Sequence, residues 1–128
     1  MGTSATVLFT GIGKPVLLWV HPDGYPEGIV PYIRKAWKRL NKVSGIYTAP
    51  RVDMCPDYLA LDFYHQLAKH WEQCPGSSKY YAGVGIIQGD DLKQLLSQAT
   101  CQYNYTVDLS QKIISWGDGH QKRKVKLE

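Results

Sequence analysis

The sequence predicts an α+β domain: an antiparallel or mixed sheet of about five strands, packed by two longer helices and one short helix, in the order ββ-αα-β-α-ββ. Three observations carry this reading. Short β-rich runs at both ends of the chain are joined by tight turns. Two stretches between them repeat apolar residues at helical spacing. One C-terminal run alternates apolar and polar residues without a break.

The elements follow in order. Ser4 to Thr10 reads as a strand, Gly11-Ile12-Gly13-Lys14 as a turn, and Pro15 to His21 as the returning strand of a hairpin. That second strand is apolar without alternation, which predicts an interior strand covered on both faces. His21 to Gly28 carries two prolines, two glycines and an Asp-Gly step, the composition of a stiff connection. A helix is expected from Pro31, at the position where a missing N–H costs nothing. Ile33, Ala36, Trp37 and Leu40 form its core face, and it runs to about Lys42.

A second helix is expected over 57–73, with Ala60, Phe63, Tyr64, Leu67 and Trp71 as its buried stripe. Tyr80 to Gln88 reads as a strand, and Asp90 caps a short helix with Leu92, Leu95, Leu96 and Ala99 on one face. Cys101, Tyr103, Tyr105, Val107 and Leu109 then alternate with polar residues. A turn at Ser110-Gln111 leads to a last strand over about 112–116. Residues 1–118 are expected to form one domain. Residues 119–128 read as a mobile basic tail ending in a vector-like Leu127-Glu128.

Composition bounds the function classes. A hydrophobic fraction of 44% with 20% charged residues excludes a disordered chain. Three cysteines, an odd number with no CxxC pair, predict reduced thiols and no structural zinc. No apolar run is long enough for a membrane span, and no leader pattern opens the chain, so a cytoplasmic protein is expected. Gly83 to Gly89 lacks the spacing of a dinucleotide fingerprint and Ser77-Ser78-Lys79 that of a phosphate loop. No cofactor is expected. His65 and His70 are five apart on one helix, which is not one face, so no metal is expected there.

Two places carry chemistry worth testing. The loop from His21 to Gly28 brings an imidazole (His21), two carboxylates (Asp23 and Glu27), a phenol (Tyr25) and the permissive Gly24 to the end of a strand. A histidine with a carboxylate in reach suits proton transfer, and glycine allows a ligand close to the backbone. The same residues also suit a purely structural turn. The second place is the helix face bearing Arg34, Lys35, Lys38 and Arg39, which suits phosphates. The net charge of +4 is modest for a dedicated nucleic-acid binder.

The opening Met1-Gly2-Thr3, followed by a strand, a second strand and then Asp23-Gly24-Tyr25-Pro26-Glu27-Gly28, resembles a group of small uncharacterised proteins of bacteria, phages and mobile elements. That group commonly starts Gly-Thr-Arg, and Ser4 stands here in place of the arginine. The resemblance covers about the first thirty residues. It implies a prokaryotic or phage accessory protein and assigns no activity.

Three functions are therefore expected, in this order. The first is a small binding protein that contacts a protein partner or a small anionic ligand through residues 21–28. The second is an enzyme with His21 as acid or base beside Asp23 or Glu27, acting on a phosphorylated or nucleotide substrate. The third is nucleic-acid binding through the basic helix face.

Overall fold

Six strands hydrogen-bond into one mixed sheet in a computed structural model of the chain, which describes residues 3–21, 23–44, 55–73, 83–117 and 121–128. The strands are β1 (Ala5–Thr10), β2 (Val16–His21), β3 (Gly83–Ile87), β4 (Tyr103–Asp108), β5 (Ile113–Gly117) and β6 (Lys122–Lys126). The helices are α1 (Pro26–Ser44), α2 (Pro56–Gln73) and the short α3 (Leu92–Ser97). The sheet order is β3-β2-β1-β4-β5-β6. Neighbours are antiparallel except β1 and β4, which run parallel at the centre. The two terminal hairpins thus meet through their first strands.

Period-2 alternation decides which residues face the helices. Ala5, Val7 and Phe9 of β1, Leu18 and Val20 of β2, Tyr105 and Val107 of β4, and Ile114 and Trp116 of β5 form one buried layer. α1 and α2 cover it with Ile29, Ile33, Ala36, Trp37, Leu40, Leu59, Phe63 and Leu67. The two helices are joined by a charge-assisted bond. Arg39 donates to the buried Asp62 carboxylate at 2.6 Å. Asp62 therefore serves the helix pair, and it also accepts from the Gln66 side chain at 3.4 Å. His70 packs tilted against Tyr32, with ring centroids 5.1 Å apart and 42° between planes.

The opposite face of the sheet is less fully covered. Among the described residues α3 and the chain leading into β4 sit there, and Leu95 of α3 packs on Leu8, Leu17 and Ile87. Asp91 caps α3 by accepting from the Gln94 N–H, one residue later than expected. Leu92 and Leu96 stay exposed, so the expected four-residue apolar face contracts to Leu95. Such a short helix cannot shield a whole sheet. β2 is accordingly interior but not fully covered, and Trp19 remains 38% exposed.

Three further expectations change. α1 begins at Pro26, so Pro31 lies inside the helix. Both prolines suit an early helical position, but Pro26 takes the first one and Pro31 turns its ring to solvent. Tyr64 is exposed, on the flank of the α2 stripe. The strand count is six, because residues 122–126 form β6 within the expected tail, and Leu127 is fully buried in the core. Arg123, Val125 and Leu127 alternate with three lysines, a period-2 pattern that the density of cations hides.

Candidate functional site

The turn that follows β2 is built inward. Asp23 adopts a left-handed backbone with φ of 64°, which aspartate tolerates better than most residues. The Gly24 N–H donates to the Thr3 carbonyl at 2.8 Å. The Gly24 carbonyl accepts from the buried Tyr105 hydroxyl at 2.7 Å. The turn is thereby fastened to the ends of β1 and β4. The Tyr25 hydroxyl donates to the Asp23 carboxylate at 3.0 Å, and that bond with the aspartate charge holds the phenol above its ordinary pKa. Glu27 lies in the first turn of α1, where its charge suits the helix dipole.

His21 parts from this group. Alternation along β2 points it to the open face, beside Trp19. There the Ser4 hydroxyl and His21 Nδ1 share a hydrogen bond of 2.9 Å. Neither Asp23 nor Glu27 hydrogen-bonds the imidazole among the described residues. The structure thus brings Asp23, Gly24, Tyr25 and Glu27 together and leaves His21 on another surface. It does not assemble the expected acid–base pair.

Burial lifts the Tyr105 phenol far above its ordinary value, and Tyr103 and Glu27 push in the same direction. The unfolded phenol titrates near pH 10, and the folded one holds its proton longer. The stabilisation is complete below pH 10 and is lost as pH rises above it, because only the unfolded chain then releases the proton. Tyr105→Phe is expected to cost about 1–2 kcal/mol at pH 7, through the orphaned Gly24 carbonyl. The gap from the parent should narrow above pH 10. Urea unfolding at pH 7 and pH 10.5 measures both values, and a gap that widens contradicts the assignment.

The basic helix face is also rearranged by its neighbours. Arg39 is taken up by Asp62. Arg34 donates twice to the Lys126 carbonyl, at 3.0 and 2.8 Å, and so ties α1 to β6. Lys35 sits 5.1 Å over the Tyr32 ring. Lys38 is exposed beside a groove of about 710 Å³ that Lys35, Lys42, Lys112 and Leu127 also line, with Arg34 in its wall. Lys112 reaches over the Trp37 ring at 5.9 Å, and Glu128 lies 3.9 Å from it.

Around the edge of β6 the charge continues. Lys122, Lys124 and Lys126 share the open face of the sheet, and all three are exposed. Arg123 projects to the α1 side. Glu128 lines the basic groove beside Lys112, whereas Asp57 and Glu72 lie on α2 and Asp90 and Asp91 before α3. Lys69 and Lys93 are the cations nearest to them in sequence on those helices. The modest net charge thus conceals a local cluster of lysines around β6. Sequence reading missed Lys112 and the strand that arrays the last lysines.

Among the described residues no group of three histidine, cysteine or carboxylate side chains is placed to hold a metal. No described helix is long and apolar enough to cross a membrane. No family model matches the chain, and no curated protein and no solved structure matches it.

Proposed function

We propose that this chain binds a nucleic acid through the basic edge formed by α1, Lys112 and β6. The observation that carries the reading is the clustering of lysines: Lys35, Lys38, Lys42 and Lys112 on one side of β6, Lys122, Lys124 and Lys126 on the other. Cations gathered on one edge release counterions from a phosphate backbone, which supplies affinity without base contacts. Glu128 lines the same groove and faces Lys112 at 3.9 Å, so the cations there outnumber a carboxylate rather than stand without one.

Two other readings draw less support. A binding protein working through residues 21–28 must use a turn whose Gly24 amide, Gly24 carbonyl and Asp23 carboxylate already have internal partners. An enzyme using His21 with Asp23 or Glu27 needs a carboxylate on the imidazole, and among the described residues the partner of its Nδ1 is the Ser4 hydroxyl.

The test is fluorescence anisotropy with labelled oligonucleotides at 50 to 200 mM salt. Log affinity is expected to fall linearly with log salt, with a slope magnitude of about 3 or more. Absence of binding at 50 mM salt, or binding indifferent to salt, would remove the proposal.

A further inference from the structure

We infer that the open face of the sheet stacks bases on Trp19, so that the ligand is a single-stranded nucleic acid. The inference rests on the polyanion reading of the basic edge and names the ligand class.

Trp19 is 38% exposed on the side of the sheet that α1 and α2 leave uncovered. Its ring lies nearly parallel to His21, with centroids 5.7 Å apart and 7° between planes. Opposite these two residues on β3 stand Gly85 and Gly83. A Cβ at either glycine would meet nothing within 4 Å. The surface beside the ring pair is therefore bare backbone, a shelf on which a flat ring can lie. A tryptophan left 38% exposed in an otherwise apolar strand costs burial, although His21 stacks beside it and the Cys101 side chain hydrogen-bonds it.

The shelf and the lysines belong to one face. The pairing register runs from Gly85 through Trp19, Thr6, Asn104 and Gly117 to Lys122. Four inter-strand steps put Trp19 about 19 Å from the Lys122 backbone. The chain before β4 crosses this row, because the Asn104 amide binds the Cys101 carbonyl at 2.7 Å and accepts from its N–H at 3.1 Å. A ligand that reaches both ends must therefore be a flexible strand able to pass over that crossing.

Charge complementarity chooses the backbone of the occupant, and the aromatic shelf chooses its bases. A duplex hides its base faces inside the stack. A single strand offers them, and aromatic side chains then add affinity without sequence preference. Neither an acidic peptide nor a lipid headgroup uses both features.

The experiment is anisotropy with a 12-nucleotide single strand, an abasic strand of the same length, and the matching duplex, each in DNA and RNA form. The parent protein, Trp19→Ala and Trp19→Phe are compared, and melting curves establish which variants are folded. The parent should bind the base-bearing strand at least tenfold more tightly than the abasic strand. Trp19→Ala should lose about five- to hundredfold with an unchanged salt slope, and Trp19→Phe should keep most of the affinity. Preference for RNA or for DNA identifies the source, and either supports the inference. Equal binding of abasic and base-bearing strands, tighter binding of the duplex, or a folded Trp19→Ala that binds like the parent overturns it. In those cases steep salt dependence still upholds the basic edge. If no strand binds in a salt-dependent way, both readings fall. If Trp19→Ala does not fold, the abasic comparison on the parent protein decides.

Discussion

Gly28→Ala should lower the melting temperature by about 10–15 °C, corresponding to roughly 3 kcal/mol or more. A Cβ at this position would lie 2.1 Å from the Asp23 carbonyl oxygen and 2.9 Å from the Asp23 Cβ. The nearer atom is backbone and has no rotamer by which to escape. Nor can the turn swing away cheaply, since Gly24 is fastened to Thr3 on one side and to Tyr105 on the other. Relief means lifting the start of α1 from the sheet and exposing Ile29, which is fully buried. Gly85→Ala is the matched comparison: a Cβ there meets nothing within 4 Å, and its effect should stay within about 0.5 kcal/mol. Thermal unfolding followed by circular dichroism measures both. Equal melting temperatures for the two variants would show that the turn is not packed as described.

The second large effect concerns binding. Exchanging Lys122, Lys124 and Lys126 together for glutamine should reduce the salt slope by about 2–3. Affinity near 100 mM salt should fall by about a hundredfold, or roughly 1 kcal/mol for each lost phosphate contact. All three side chains are exposed on an edge strand, so the fold should survive their neutralisation. Arg39→Gln provides the contrast. Its guanidinium already serves the buried Asp62, so the variant should lose stability while the salt slope stays that of the parent. A triple variant with an unchanged slope would place the phosphate contacts elsewhere.

Much of the architecture was legible because binary patterning announces a half-buried strand. Tyr105, Val107 and Leu109 alternate with polar residues and are all buried. The two terminal hairpins were likewise visible from their turns. What escaped depends on neighbours distant in sequence. β6 is mostly lysine and arginine, and its inward side shows only as Val125 and Leu127. It is a strand because β5 offers it an edge. The start of α1 was ambiguous because Pro26 and Pro31 satisfy the same local preference.

The candidate site was less legible for a related reason. His21 is two residues from Asp23 in sequence, yet strand alternation and the left-handed Asp23 carry them apart. Arg34 and Arg39 read as free cations because their partners, the Lys126 carbonyl and Asp62, are known only once the helices have packed. Trp19 sits in the apolar run Val16 to Val20, where local pattern implies cover. Its exposure follows from the shortness of α3, which reaches Leu17 and stops.

The parallel pairing of β1 with β4 has a consequence for how the chain comes to be folded. Thr6 and Asn104 bond across a separation of 98 residues, at the middle of the sheet. As the ribosome extends the chain, Thr6 of β1 emerges 98 residues before the Asn104 it pairs with. Until β3 emerges the hairpin of β1 and β2 has two open borders of unpaired amides and carbonyls, the kind of border that recruits other chains. The closing of so long a loop also makes folding slow relative to local helix formation. Shielding of the nascent hairpin, by a chaperone or by early docking of α1, would therefore govern the yield of folded protein more than the final strength of the core.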